Sequence, residues 1–327
     1  MIYENGVEPF KNIKSENIIL EKIAKLKYKL ADKIIILGHH YESNDLIQFA
    51  DIRGDSFKLS QEAAKNKDKE FIIFCGVKFM AESADIISSN FQKVIIPDIE
   101  AGCPLADFAS LNDVEKVWKE INSIVNEKII PITYINSSAN LKSFVGKNGG
   151  SVCTSSNASK IFDWAMERGE KIFFFPDQYL GGNTALAKGF DKKNIILWER
   201  NKKFGGNSKE DILNAKIILW GGYCSVHKRF SVEDIYRLRK IYPKIKIISH
   251  PECNNDVIKN SDKFGSTGYI IQTIENSPDG SVWGVGTEQH LVNRLQQMYP
   301  KKKILSLSKV GNQCATMSKN TPEKLLK

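Results

Sequence analysis

The chain has 327 residues and a mass of 36.9 kDa, room for two or three domains of ordinary size. With 42% hydrophobic and 26% charged residues, it is neither a disordered tail, a collagen-like fibre nor a disulfide-stapled mini-protein. The formal charge of +9 comes from seven arginines and 40 scattered lysines. Sequence-reading nucleic-acid binders use arginine forks and local basic stripes, so the charge favours small anionic substrates. No apolar run approaches the roughly 18 residues that cross a bilayer. The opening MIYENGVEPFKN carries acids and lacks the apolar stretch of a signal peptide. A soluble cytoplasmic protein is the expectation.

In chain order, an amphipathic helix from about Glu16 to Leu30 leads into the apolar strand KIIILGHHY, Lys33 to Tyr41. A second helix signal, Val114, Val117, Trp118, Ile121 and Ile124, precedes KIIPITYIN, Lys128 to Asn136. A third, Val232, Ile235, Leu238 and Ile241, precedes KIKIISHPE, Lys244 to Glu252. Continuous apolar strands alternating with helices predict parallel sheets covered on both faces.

Spacing turns the alternation into a repeat. His39 to Ser56 and His250 to Thr267 are both 17 residues; His39 to Cys103 and His250 to Cys314 are both 64. The middle copy, from Tyr134 through CTSSN to Cys224, is longer by 26, with the excess expected in GKNGG (146–150) and NKKFGGNSKED (201–211). The predicted fold is α/β, with three pseudo-symmetric domains at 1–108, 109–228 and 229–327. Their strand C-termini would face a central pseudo-three-fold axis, since open α/β sheets bind ligands at strand ends.

Each copy closes on one cysteine: Cys103 in AGCPLAD, Cys224 in GGYCSVH, Cys314 in NQCATMS. Three thiolates suit an iron–sulfur cluster with one iron left open as a Lewis acid. Two other readings stand beside it: ordinary core thiols, and a zinc site drawn from Cys224, His227, His250 and Cys253. Gly181-Gly182 and Gly221-Gly222 carry no nucleotide fingerprint.

These residues resemble the bacterial-type quinolinate synthase family, the iron–sulfur enzymes of de novo NAD biosynthesis. The likeness runs from about Lys33 to Thr321 through GHHYESNDLIQFADIRGDS, GVKFMAESA, AGCPLAD, YINSSANLKS, CTSSNA, FFPDQYLGGN, GYCSVH, HPEC, GSTG, VGTEQHLVNRL and CATMSKNT, in the family's order. The resemblance implies a triangular, three-domain molecule with a central active site. It implies condensation of iminoaspartate with dihydroxyacetone phosphate to quinolinate, with loss of phosphate and water. It also implies one [4Fe–4S] cluster per chain on Cys103, Cys224 and Cys314. Cys75, Cys153 and Cys253 fall outside that set and are expected to be packing residues. Ala315, Thr316 and Met317 follow the third ligand, so the C-x-x-C some members carry there is absent. An upstream aspartate-oxidising enzyme and iron–sulfur assembly machinery are the implied protein partners, with no specific nucleic acid and no membrane. A different [4Fe–4S] hydro-lyase acting on a hydroxy acid, or a metal-containing nucleic-acid-binding regulator, are the competing functions.

Ser56, Ser155 and Thr267 stand just before helical patterns, where hydroxyls cap helices and exposed N–H groups bind anions; the resemblance makes them substrate contacts. Tyr134 and Asn136 resemble residues that hold substrate, and His39 and Tyr41 resemble partners of its carbonyl or phosphate end. Glu252 and His250 form the leading acid–base pair, with His227 beside them. The carboxyl is expected to work near neutral pH if its surroundings raise its pKa. His40 and His290 are expected to be surface or packing residues.

Overall fold

A computed structural model describes residues 18–327, so Glu16 and Asn17, the predicted start of the first helix, lie outside the described residues. The chain divides into two compact units, residues up to Gly102 with Cys314–Lys327, and Cys103–Gln313.

The first unit holds α1 (Ile18–Lys29), β1 (Ile34–His39), α2 (Asn44–Ile47), β2 (Ile52–Gly54), α3 (Ser56–Lys65), β3 (Phe71–Cys75), α4 (Lys78–Ile87) and β4 (Lys93–Ile95). Its four strands lie in the order β2-β1-β3-β4, all parallel. The chain end returns to this unit. Leu325 and Leu326 pack against the core of Leu20, Ile23, Ile36 and Ile47, and Lys324 pairs with Asp98.

The second unit begins with α5 (Leu111–Asn122), β5 (Ile129–Tyr134), α6 (Ala139–Lys147), β6 (Ser151–Cys153), α7 (Ala158–Met166), β7 (Lys171–Phe175) and α8 (Gln178–Ala187). It continues with β8 (Ile195–Trp198), α9 (Lys209–Asn214), β9 (Ile217–Trp220), α10 (Val232–Ile241), β10 (Lys246–Ser249), α11 (Asn255–Asn260) and β11 (Lys263–Phe264). After α12 (Thr267–Glu275), β12 (Val282–Gly286), α13 (Gln289–Met298) and β13 (Lys303–Ser306), the chain leaves for α14 (Pro322–Leu326) of the first unit. Two sheets result, β6-β5-β7-β9-β8 and β11-β10-β12-β13, again wholly parallel.

The first and third sheets share one strand order, and the middle sheet starts the same way, β6-β5-β7, before β9 takes the fourth place and β8 is added at its edge, so the predicted repeat is a repeat of topology. Local chemistry explains the elements. Val114, Val117 and Ile121 recur at helical spacing and are buried, while Ser110 caps α5 by accepting from the Asp113 N–H. Strands β5 and β7 are buried along their whole length because helices cover both faces of the sheet. Each such Ile, Val or Phe contributes about 1.5–3 kcal/mol on burial. The middle copy's excess lies mainly where β8 is added. α8 ends at Ala187 and β9 starts at Ile217, whereas α4 ends at Ile87 and β4 starts at Lys93. The 201–211 segment belongs to this addition; GKNGG only closes α6 and leads into β6.

Candidate active site

The loops after β1 and β10 share one construction. Three residues before the strand-end histidine, the N–H of Ile36 donates to Asp51 at 2.8 Å, and the N–H of Ile247 donates to Asp262 at 2.6 Å. Two residues after it, the N–H of Tyr41 donates to His39 Nδ1 at 3.2 Å, and that of Glu252 to His250 Nδ1 at 3.4 Å. A ring nitrogen that accepts here leaves the other, Nε2, to carry the proton of a neutral imidazole. His39 stands edge-on to Tyr41 at 4.7 Å.

The hydroxyls expected as helix caps are displaced from that role. The caps of α3 and α12 are Asp55 and Ser266, one residue earlier, accepting from the N–H groups of Lys58 and Tyr269. Ser56 and Thr267 occupy the first helical position, and Ser155 precedes Asn157, the cap position of α7. Propensity marks where a helix starts; φ and ψ decide which polar residue takes the cap.

The centre of the second unit's site is Glu252, 3% exposed. One carboxylate oxygen accepts from the Tyr134 hydroxyl at 2.6 Å, and the other lies 2.8 Å from His227 Nδ1. His227 Nε2 meets the Thr287 hydroxyl at 3.2 Å, and its ring stacks on His250 at 4.5 Å. Tyr134, Glu252, His227 and Thr287 thus form an unbroken hydrogen-bonded chain.

Burial on its own would raise the Glu252 pKa. The imidazoles of His227 and His250, which attract the carboxylate when protonated, and the hydrogen bonds from His227 and Tyr134 outweigh it and lower the carboxyl to about 2. The shift is therefore downward, the reverse of the one expected from the sequence. The raised carboxyl is Asp177, fully buried at the start of α8. Burial first, and then the charge of Glu252, push it well above the usual aspartate range. Asp177 and Thr287 lie inside FFPDQYLGGN and VGTEQHLVNRL, yet nothing in their local spacing marks them. Thr287 meets His227, 60 residues away in the chain, and the charge that bears on Asp177 is that of Glu252.

Cys224 belongs to the same cluster of groups. Its sulfur, a ring nitrogen of His227 and a carboxylate oxygen of Glu252 all lie within 4.8 Å of one another. The four-ligand zinc alternative is not assembled, because Cys253 is buried with its sulfur against the Gly286 carbonyl, in the core beneath β10. The six thiols fall into two sets. Cys75, Cys153 and Cys253 are buried, and burial pushes each thiol's pKa up; Cys103, Cys224 and Cys314 are half-buried.

The half-buried three head one recurring motif. The carbonyl of each cysteine accepts from the N–H four residues on, in Asp107, Lys228 and Ser318. A 3₁₀ turn begins three residues after each, at Ala106, His227 and Met317. Seven residues after each stands a helix cap, Ser110, Ser231 and Thr321, whose side chain accepts from the N–H three residues further. This C-x6-[ST] spacing is present in the sequence and is a local signal, not used in the reading above, that marks the three as equivalent.

His290 pairs with the buried Glu288 at 3.0 Å at the start of α13, in keeping with a packing role, and His40 is half-buried. Asn136 is half-buried two residues beyond Tyr134.

Parallel α/β sheets with acid–base side chains gathered at strand ends define a class of α/β enzymes whose chemistry sits on strand C-termini. Residues 21–327 match the family model described as Quinolinate synthetase A protein. The chain is 45% identical over 323 residues to the quinolinate synthase of Rhodopirellula baltica, covering 95% of this chain and 82% of that one. It is 47% identical over 309 residues to that of Corynebacterium glutamicum (94% and 78% covered) and 46% over 315 to that of Anoxybacillus flavithermus (95% and 84%). The chain belongs to the quinolinate synthase family.

Proposed function

We propose that this chain makes quinolinate by condensing iminoaspartate with dihydroxyacetone phosphate, losing phosphate and water, in the cytoplasmic de novo route to NAD. The observation that carries this reading is the buried Tyr134–Glu252–His227–Thr287 chain lying against the Cys224 thiol. Ring formation needs protons taken from carbon and given to leaving oxygens. In this reading the Glu252 carboxylate orients both neighbours and stabilises the charge His227 gains when it takes a proton, while Tyr134 and His227 present the protons that move. His250 and Asn136 complete the substrate-binding set, with Ser155 and Thr267 for the anionic groups. His39, Tyr41 and Ser56 take the carbonyl or phosphate end.

Cys103, Cys224 and Cys314 are the ligands we assign to one [4Fe–4S] cluster. Their shared turn motif and half-buried thiols fit ligation, whereas the three buried thiols are inert packing. When bound, such a cluster supplies a Lewis-acidic iron, one not ligated by the protein, to polarise substrate oxygen. Three repeats at 1–108, 109–228 and 229–327, each delivering one thiol, are the corresponding domain assignment. Supply of the unstable imine calls for an upstream aspartate-oxidising enzyme, and the cluster for iron–sulfur assembly machinery.

The deciding experiment measures iron, acid-labile sulfide and quinolinate formation on anaerobically purified wild type and Cys314→Ser. About four iron and four sulfide per chain, with product formed, and loss of all three in the variant, supports the reading. Zinc in their place, or no metal in protein kept free of oxygen, overturns the ligand assignment.

A further inference from the structure

Helix α8 carries Asn183 five residues after its start, 3% exposed. Its side-chain amide donates both hydrogens, to the Pro251 carbonyl at 2.8 Å and to the Cys253 carbonyl at 2.8 Å. These are the carbonyls of the residues just before and just after Glu252. The Asn183 oxygen accepts from the Asn255 amide at 3.0 Å, which settles which end of the Asn183 side chain faces the loop. The other end of α8 is also anchored. Asp177 caps it through the N–H groups of Tyr179 and Leu180, and the N–H of Gln178 donates to the Gly222 carbonyl, two residues before Cys224.

We propose that Asn183 is a positioning residue for Glu252, clamping the carbonyls of the residues before and after it so that the carboxylate meets Tyr134 and His227 together. The inference rests on the acid–base reading of Glu252 given above. The physical case is that a carboxylate serving two partners, at 2.6 and 2.8 Å, tolerates little movement of its backbone. The short connection after β10 is a single turn, closed by the Cys253 N–H on the His250 carbonyl at 2.9 Å, with no helix or strand hydrogen bonds across Glu252. A double donor aimed at the carbonyls on either side of the Glu252 carbonyl supplies that restraint from a rigid helix. Of the 20 common side chains, Asn fits because it offers two fixed donors on a short stem and an acceptor for Asn255.

The test compares holoenzyme carrying Asn183→Leu, Asn255→Ala or Glu252→Gln with wild type. Steady-state rates, the pH profile of kcat, iron content and melting temperature are recorded. Leu matches Asn in size but has no donor. The expectation for Asn183→Leu is a fall in kcat of about 10- to 100-fold, the size of effect produced by small misplacements of reacting groups. KM stays within about threefold because uniform binding is untouched, iron content is unchanged, and the pH profile shifts. Asn255 is half-buried, so Asn255→Ala folds and shows the same pattern more weakly. If Asn183→Leu does not fold, Asn255→Ala decides. An unchanged kcat, a loss confined to KM, or a fall in kcat with an unaltered pH profile overturns the clamp. A wild-type rate in Glu252→Gln is a separate result, which overturns the reading of Glu252 itself.

Discussion

The loops after β1 and β10 are built alike and armed differently. Both hang from an aspartate fifteen residues past a strand N–H, and both seat a histidine whose Nδ1 accepts from the backbone two residues on. At that second position one loop has Tyr41 and the other Glu252. One residue further they have Glu42 and Cys253, both buried. The carboxylate of Glu42 accepts from Asn320 at 2.7 Å, and Asn320 also donates to the Gly76 carbonyl, so this carboxylate tethers the segment that follows Cys314. The carboxylate of Glu252 faces a phenol and an imidazole instead. On one scaffold, then, the carboxyl stands one residue earlier in the β10 loop, and its partners there are titratable side chains instead of an amide.

The sharpest way to break this comparison is the same substitution in both loops. Glu252→Gln should cut kcat by about 10²- to 10⁴-fold, the usual worth of a positioned acid–base group. Glu42→Gln should change it by no more than about threefold, since an amide oxygen still accepts from Asn320. Equal losses in steady-state quinolinate formation would erase the distinction between the loops. The shared scaffold makes a second, smaller prediction. Asp51→Ala and Asp262→Ala each strip a strand N–H of its partner and should each cost about 1–3 kcal/mol by denaturant unfolding. A cost at only one of them would mean that the matching hydrogen bonds are not equivalent supports.

Cys253 separates packing from ligation. Cys253→Ala should lower stability by about 1 kcal/mol for the methylene-sized volume lost, and leave iron per chain at the wild-type value. Iron loss in that variant would move this thiol into the ligand set. The smallest effect concerns Asp98, whose pKa is lowered by the hydrogen bond from Lys324 and then by the N–H of Glu100. A depressed carboxyl stabilises the fold above its unfolded value of about 3.9 and loses that contribution as pH falls through the lower folded value. Below pH 4 the melting temperature of wild type should therefore fall more steeply than that of Asp98→Asn. Parallel curves would show that the Lys324 tie on α14 adds nothing.

Much of the architecture was legible in the chain. Helices near Val114–Ile121 and Val232–Ile241 and strands at Ile34, Ile129 and Lys246 follow from period and apolar content, which are local properties. The 17- and 64-residue spacings mark the repeat in the sequence itself, because equal spacing needs only counting. Cap positions were missed by one residue at Ser56 and Thr267. Asp55 and Ser266 are equally good caps, and a single backbone dihedral separates the choices.

Local pattern was enough to specify the alternation of strands and helices, the three copies and the three cysteines at their ends. The ionisation of Glu252, by contrast, was decided by His227 and Tyr134, 25 and 118 residues away in the chain. Asn183, holding the loop from a helix 68 to 70 residues upstream, was equally invisible. Electrostatic and hydrogen-bond energies depend on distances of a few ångströms in space, and only the folded chain brings those groups to such distances.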